Sequence, residues 1–414
     1  MPSTPLGRVR ETLVALHADG RGWTVVAVAL GWAMIVGTML SVPAALPYIR
    51  AEFTLSNTGA GVAVTAMWLV YGASQFPAGL LTDRIGERRM LLGSMALGGG
   101  VAAAFAVSPT FPMFVLSAGL FGVVGGLFAT PRVTLLSRAF PDDSGTAIGV
   151  VMAVGNVGSS LLPAGVGLLA ATVGWRLGFG LELPLFLLAF VALGLAVDGA
   201  PGDGTDSSNI DDSEQATEPT LRELLPRILA AVRDREIVLV TAAITLTFFT
   251  FQGMTAFLTT YLVDVKLLGE GTAALLFGGL FAVAAVTQPL AGRVADRTNE
   301  RTVLVAITAG YALLLVGLVL TGERLLLTAF VVLLGTQRGS TPVATAYIAA
   351  GLPEEIRGSG YGLPRTVFTS VSSLGAVVVG AFADAALFDA AFLLLAGLAV
   401  IATGCYLLLP RPAA

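Results

Sequence analysis

Long apolar runs separated by short polar links make up most of this 414-residue chain. Most of the runs reach the roughly 20 residues that a helix needs to cross a bilayer. The twelve predicted segments lie at about 24–49, 58–82, 89–107, 112–138, 146–172, 177–197, 237–263, 271–292, 302–320, 325–350, 361–383 and 388–409. The pattern therefore predicts an all-α integral membrane protein with twelve transmembrane helices.

One long polar stretch interrupts the alternation between the sixth and seventh segments. Residues 198–219 combine Gly, Pro and Ser with the run Asp211-Asp212-Ser213-Glu214, which is typical of a disordered acidic linker. The capping-box signature Thr220-Leu221-Arg222-Glu223 then predicts a short amphipathic helix lying on the membrane surface. The predicted organisation is a tail at 1–23, a six-helix bundle at 24–197, the linker and interfacial helix at 198–236, a second bundle at 237–409 and a tail at 410–414.

Composition supports the bilayer as the solvent of this chain. Hydrophobic residues make up 55% and charged residues 12%, with a mean hydropathy of +0.85. A soluble domain carries about 25% charged residues. The net charge of −4 offers no argument for nucleic-acid binding.

Few residues in the chain could support catalysis or hold a metal. The single histidine, His17, lies in the polar tail, and the single cysteine, Cys405, lies in the last apolar run. Neither has partners that would form a metal site or a catalytic triad, and no phosphate-binding loop is present. We therefore expect a protein that is not an enzyme and that needs no cofactor.

Basic residues favour alternate links. With the N-terminus inside, the inside links hold sixteen of them and the outside links hold four, Arg50, Arg176, Lys266 and Arg324. The positive-inside rule then places both termini in the cytoplasm and predicts a multi-pass protein of the cytoplasmic membrane.

A charged link of the first half is repeated in the second half at a constant offset of 213 residues. The matching positions are Gln75, Ala78, Gly79, Asp83, Arg84, Glu87 and Arg88 with Gln288, Ala291, Gly292, Asp296, Arg297, Glu300 and Arg301. Two related halves are typical of a secondary transporter that works by alternating access, with its substrate site between the halves.

The first copy, Gly79-x-x-x-Asp83-Arg84-x-Gly86-x-Arg88-Arg89, resembles the loop motif of the major facilitator superfamily. The resemblance covers essentially the whole chain, and it implies that helices one, four, seven and ten line a central cavity. It also implies that motif contacts hold the cytoplasmic side shut in the outward-open state. In the alternative interpretation these arginines only anchor the loops inside. The predicted gating residues are Gly79, Asp83, Arg84, Gly86, Arg88, Arg89, Asp296, Arg297, Arg301 and Arg365, the last as a partner of Asp83.

Two departures from the family pattern argue against a proton-driven drug antiporter. The outer half of the fourth segment reads Ser117-Ala118-Gly119-Leu120 where the family often has an arginine. The glycine-proline pattern of the fifth helix is degenerate, since residues 158–165 read GSSLLPAG.

Charges inside the membrane are the strongest candidates for function, because a buried ionisable group costs at least about 2.5 kcal/mol. Arg338 lies at the centre of the tenth segment, where its planar fork suits oxyanions, although a structural pair with a carboxylate or carbonyls is the alternative. Arg132 has three possible roles: lining the inner cavity, snorkelling to the surface, or pairing with Asp83 or Asp142. The predicted substrate contacts are Arg338, Gln337, Arg132, Gln252, Trp32 and Thr255.

Carboxylates are absent from the middle of the cavity segments. Glu182, near the outer end of the sixth segment, is expected to be a surface carboxylate rather than a proton site. Since arginine does not titrate, we expect facilitated diffusion, exchange against a counter-anion, or coupling through the substrate's own proton.

The sequence therefore predicts a monomeric transporter whose small-molecule partner is a small organic or inorganic anion. One alternative is an exporter of amphipathic drugs by proton antiport, which would tolerate loss of Arg338. Another, from a different class, is a membrane sensor that does not transport.

Overall fold

The computed structural model describes residues 22–140, 144–197, 233–352 and 357–410, and within these ranges the chain is helical without strands. The first half contains α1 (Gly22–Glu52), α2 (Asn57–Ile85), α3 (Glu87–Ala106), α4 (Phe111–Ala129), α5 (Pro131–Ala139), α6 (Ser144–Thr172), α7 (Trp175–Gly180) and α8 (Glu182–Ala196). The second contains α9 (Arg235–Asp264), α10 (Glu270–Arg297), α11 (Glu300–Leu320), α12 (Arg324–Leu333), a 3-10 turn (Leu334–Gly339), α13 (Ser340–Ala350), α14 (Arg357–Ser373), α15 (Gly375–Asp384) and α16 (Phe388–Leu407). The predicted tails, acidic linker and interfacial helix lie mostly outside the described residues.

Twelve spans are built from these helices, as the sequence predicts. Ten helical stretches within the described ranges are long and apolar enough to cross a membrane. The other two spans are α2, whose Ser, Thr and Gln content lowers its hydropathy, and the tenth, in which a 3-10 turn separates α12 from α13. Most helices extend a few residues beyond the apolar segments, because their polar end residues continue the helical hydrogen bonds.

The spans form two six-helix bundles, α1–α8 and α9–α16. In the first, α1 packs along α6 and α2 along α4; in the second, α16 packs against both α9 and α11. Each bundle has an aromatic cluster, the larger of which brings Phe105, Phe114, Trp175 and Phe179 together. Burial of these rings makes each bundle a packed unit.

Hydrogen bonds join the two bundles on one side of the membrane. We call the side where α8 ends and α9 begins the linker side, and the opposite side the far side. At the far side, Arg50 pairs with Asp264 at 2.7 Å. Asp384 accepts a hydrogen bond from the backbone N–H of Thr58 at 2.9 Å and another from that of Asn57. Among the described residues, the cross-bundle hydrogen bonds run from the far side to about mid-membrane, so the far side is closed.

Glycines line the seam between the bundles at the far side. A Cβ atom on Gly61 would lie 2.8 Å from the carbonyl oxygen of Ala376, and one on Gly380 would lie 2.7 Å from that of Asn57. The corresponding distance is 2.8 Å between Gly278 and the Ser160 carbonyl oxygen. Backbone therefore meets backbone across the seam, as small residues permit between membrane helices.

Candidate functional site

The fourth span breaks at Thr130-Pro131, and the break sets the position of Arg132. Pro131 begins α5 because proline is well suited to the first turn of a helix, and Arg132 follows inside the protein with 6% of its surface exposed. Its guanidinium carbon lies 3.5 Å from the centroid of the Trp32 ring. The Nη2 atom donates to the Met152 sulfur at 3.7 Å, while the buried Nη1 has no hydrogen-bond partner. This burial rules out the snorkelling interpretation.

The tenth span places Arg338 in its 3-10 turn, at the middle of the span. The guanidinium carbon lies 5.3 Å from the Phe248 ring centroid and 5.2 Å from that of Phe251, both on α9. Such distances are those of cation–π contacts. Among the described residues, no carboxylate forms a salt bridge with Arg338.

Arginines from both bundles lie near one another and near Tyr71 of α2. Arg132 interacts electrostatically with Arg365 of α14. Arg132 and Arg338 each lie within electrostatic range of Tyr71, which is itself 8% exposed. We call Arg132, Arg338 and Arg365 the arginine cluster. Like charges at such depth repel one another, so the cluster is suited to an anion lying between the bundles.

The other predicted contacts take different positions. Gln337 is 1% exposed and donates through Nε2 to the Thr247 carbonyl oxygen at 3.4 Å, while its Oε1 has no partner. The Thr255 hydroxyl donates to the Phe251 carbonyl oxygen of its own helix at 2.8 Å. Gln252 is buried on α9. Thr255 is therefore placed as a helix-packing residue, and Gln337 keeps one free acceptor.

Within the repeated loop motif, two equivalent arginines bind inside their own bundles. Arg88 donates to the carbonyl oxygens of Val197 and Gly194 at 2.7 and 3.1 Å, and Arg301 donates to that of Leu407 at 2.7 Å. The described side chains of Arg84, Arg89, Asp296 and Arg297 are exposed. The side chain of Asp83 lies outside the described residues, so its pairing with Arg365 and the gating role of the motif remain predictions.

The two copies turn differently. Gly86 has a φ of 85°, which favours glycine, and it separates α2 from α3. Asn299, at the matching position, is extended and accepts a hydrogen bond from the Thr302 N–H at 2.7 Å, which caps α11. The second copy therefore starts its next helix with a side-chain cap, where the first copy uses a glycine turn.

Glu182 is not the surface carboxylate that the sequence suggests. It is 1% exposed, and its oxygens accept hydrogen bonds from Thr38 at 2.7 Å and Ser41 at 3.0 Å, both on α1. The sequence interpretation fails because the break at Leu181 starts α8 inside the protein rather than at the surface. Thr38, a possible cavity contact from its helix, points to Glu182 instead.

Sequence reasoning also missed the aromatic residues that surround the cluster, namely Tyr71, Phe248 and Phe251. Aromatic residues are common in the apolar segments, and a period of 3.6 does not distinguish a ring beside a guanidinium from a ring in the core. Glu182 did carry a signal, since an ionisable residue inside a membrane segment is a functional candidate by default.

Comparisons with known proteins agree with this architecture. The family model for the Major Facilitator Superfamily matches residues 24–280 and 267–414. Multidrug resistance protein Stp of Mycobacterium tuberculosis (strain CDC 1551 / Oshkosh) is 25% identical over 411 residues, covering 86% of this chain and 75% of that protein. The Nitrite extrusion protein of Bacillus subtilis (strain 168) is 27% identical over 252 residues, covering 60% of this chain and 59% of that protein. A bacterial homologue of the human lysosomal transporter Spinster, in its inward-facing and unoccupied conformation, superposes with a TM-score of 0.77 at 15% identity, covering 94% of this chain and 96% of that one.

Proposed function

Because this chain belongs to the Major Facilitator Superfamily and is a multi-pass membrane transporter, we propose that its solute is a small organic or inorganic anion. The anion binds the arginine cluster between the bundles, and the bundles rock about it in alternating access. Arg338 is its main contact, and Arg132 is the second.

The observation that carries this proposal is that the guanidinium groups of Arg132 and Arg338 lie against aromatic rings and have no carboxylate partner among the described residues. A permanently charged fork binds the oxygens of a carboxylate, nitrate or phosphate group in a bidentate manner. Arg132 has a buried Nη1 atom without a hydrogen-bond partner, which such an oxygen would satisfy. The similarity to a protein named for nitrite extrusion is consistent with this class of solute.

The test is a thermal-shift screen of the purified protein followed by flux into vesicles. The panel contains nitrate, inorganic phosphate, organic acids, sugars, amino acids and cationic drugs. A ligand present at about 100 times its dissociation constant stabilises the protein by about 2.7 kcal/mol. We expect shifts from anions alone, and loss of anion affinity by about ten- to a hundredfold in Arg338→Gln, since a hydrogen bond to a charged group contributes about 1.5–3 kcal/mol.

Arg324→Gln is the matched control. Arg324 begins the same span as Arg338 but is exposed at the far side, so its substitution removes the same charge away from the cluster. Anion affinity that survives in Arg338→Gln, or that falls equally in Arg324→Gln, contradicts the proposal.

A drug exporter is the second candidate function, and the aromatic wall of the site favours it. Trp32 stacks on Phe128 at 6.4 Å, and Phe248 and Phe251 flank Arg338. Flat aromatic surfaces bind planar amphipathic compounds. The similarity to a protein named for multidrug resistance supports this candidate equally. Flux of ethidium that persists in Arg338→Gln would select it over anion transport.

The orientation of the protein follows from its arginine bias, and its assembly follows from the residues that each bundle supplies. With both termini in the cytoplasm, as the arginine bias predicts, the closed far side faces outward. Each bundle supplies residues to the cluster, so one copy of the chain forms a complete site and acts as a monomer in the cytoplasmic membrane.

A further inference from the structure

We propose that Glu182, together with Thr38 and Ser41, is a proton-binding site whose protonation state is coupled to the position of α1. This site lies within the first bundle, apart from the arginine cluster, and it extends the proposed function by giving the transporter a coupling ion. The inference rests on hydrogen-bond geometry at the junction of α1 with α8.

The Glu182 carboxylate is isolated from water and from cationic side chains. Glu182 is 1% exposed, and the hydrogen bonds described for its side chain come from two neutral hydroxyl groups. A buried carboxylate without a cation beside it is costly in a membrane, and such groups are mostly functional. The ionisable residues on the elements packed against α8 lie near the ends of those elements and are Tyr48, Arg50 and Glu52 on α1, Glu87, Arg88 and Arg89 on α3, and Arg176 on α7.

Five of these end groups have described partners elsewhere. Arg50 pairs with Asp264, Arg176 with Glu52, and Glu87 with Arg138. The Arg88 guanidinium binds carbonyl oxygens at the end of α8. Glu182 begins that helix, about fourteen residues before its last residue, Ala196. Within the described residues, no ion pair therefore fixes Glu182 in its charged form.

The same arrangement of heavy atoms around Glu182 accommodates both of its protonation states. The Ser41 Oγ lies 3.0 Å from Oε1 of Glu182 and 3.1 Å from the Gly37 carbonyl oxygen, but its hydroxyl has one proton to donate. In the ionised state, Ser41 and Thr38 both donate to the carboxylate. In the protonated state, a proton on Oε1 is donated to the Ser41 Oγ, and Ser41 donates to the Gly37 carbonyl. Every proton has an acceptor in both states.

The Glu182 site lies close to a contact across the seam between the bundles. Two residues after Ser41, Pro43 lies inside α1, and its carbonyl oxygen accepts a hydrogen bond from Thr259 of α9 at 3.2 Å. A proline inside a helix removes one backbone hydrogen bond and allows bending. Protonation therefore changes how Ser41 holds α1 next to a proline and next to a cross-bundle contact.

The first arm of the test is infrared difference spectroscopy on the full chain in lipid vesicles, without any added solute. The buffer is changed between alkaline and acidic pH, and the absorption of protonated carboxyl groups is recorded. We expect one band in the wild-type difference spectrum that is absent in Glu182→Gln and retained in Glu52→Gln, which removes an exposed carboxylate. Thr38→Val leaves the carboxyl group in place and removes one hydrogen bond, so it should shift the same band. Superimposable spectra of the wild type and Glu182→Gln would overturn the proposal.

The second arm measures coupling to conformation. Spin labels at Thr54→Cys and Leu267→Cys in a Cys405→Ser background report the distance between exposed far-side positions of the two bundles. We expect this distance distribution to shift with pH in the wild type and to be independent of pH in Glu182→Gln. An equal shift in both would overturn the coupling. Thermal unfolding of each variant checks folding, and because no anion is present, these results do not depend on the solute class.

Discussion

The Nε atom of Arg88 donates to the carbonyl oxygen of Val197 across 2.7 Å, which ties the first residues of α3 to the end of α8. Arg301, 213 residues later, makes the equivalent contact with the Leu407 carbonyl oxygen at the end of α16. The last carbonyl groups of a helix lack partners inside the helix, and a cation there also complements the helix dipole. In this conformation, the two arginines of the repeated motif thus cap the C-terminal end of the last helix in each bundle.

This capping predicts a loss of stability in Arg88→Ala and Arg301→Ala. Each substitution removes charge-assisted hydrogen bonds at a partly exposed position, and we expect the free energy of unfolding to fall by about 1–2 kcal/mol. Thermal unfolding in detergent measures the effect. Arg84→Ala, a neighbouring exposed arginine, is the control and should leave the unfolding temperature unchanged. A larger effect in Arg84→Ala would contradict the capping role.

Trp32 should report binding at the cluster. Because the Arg132 guanidinium lies 3.5 Å from its ring, a solute that draws Arg132 away changes the surroundings of the indole. We expect the bound solute to change the tryptophan emission of the wild type and of Trp23→Phe, and to leave that of Trp32→Phe unchanged. Titration of fluorescence against solute concentration makes the comparison. A signal retained in Trp32→Phe would place the solute elsewhere.

Gly122 is predicted to be intolerant of a side chain. A Cβ atom there would lie 2.3 Å from the Met67 carbonyl oxygen and 2.8 Å from the Tyr71 backbone nitrogen. Gly122→Ala should therefore push α4 from α2 and cost about 1–3 kcal/mol of stability, as overpacking does. In Gly119→Ala, one turn away, the added Cβ would meet only Val70 at 3.9 Å, so no loss is expected. Unfolding temperatures of the two variants test the difference.

Asp384 should control closure of the far side. Its carboxylate accepts from the first N–H groups of α2, where the helix dipole is positive, and it belongs to the other bundle. In Asp384→Ala we expect the far-side-closed population to lose about 1.5–3 kcal/mol, or about ten- to a hundredfold in its equilibrium constant. Spin labels at Thr54→Cys and Leu267→Cys measure the two populations.

The control for this prediction is Asp389→Ala. Asp389 accepts a hydrogen bond from the Tyr261 hydroxyl at 2.6 Å inside one bundle, so its loss affects stability and not the balance of conformations. If the two variants open the far side equally, Asp384 has no special part in closure.

The sequence was sufficient for the twelve spans and the two halves, because hydropathy and an internal repeat are properties of single positions and their spacing. The surroundings of those positions were not predictable. Whether Glu182 meets water or Thr38 depends on how α8 packs on α1, and the contact of Arg132 with Trp32 depends on the break at Pro131. Both are settled by tertiary contacts between residues more than 90 positions apart, as the 144-residue separation of Thr38 and Glu182 illustrates.

The glycine seam has a consequence for how fast the molecule can change shape. Where Gly61 faces Ala376 and Gly278 faces Ser160, the glycines let main-chain atoms of the two halves come close, and the Ser160 hydroxyl donates to the Gly278 carbonyl oxygen at 2.7 Å. A glycine has no side chain whose rotamer must change when these surfaces separate, so separation there breaks hydrogen bonds such as that of Ser160. We therefore expect the polar contacts at the far side, such as that of Arg50 with Asp264, to contribute strongly to the barrier between the two conformations.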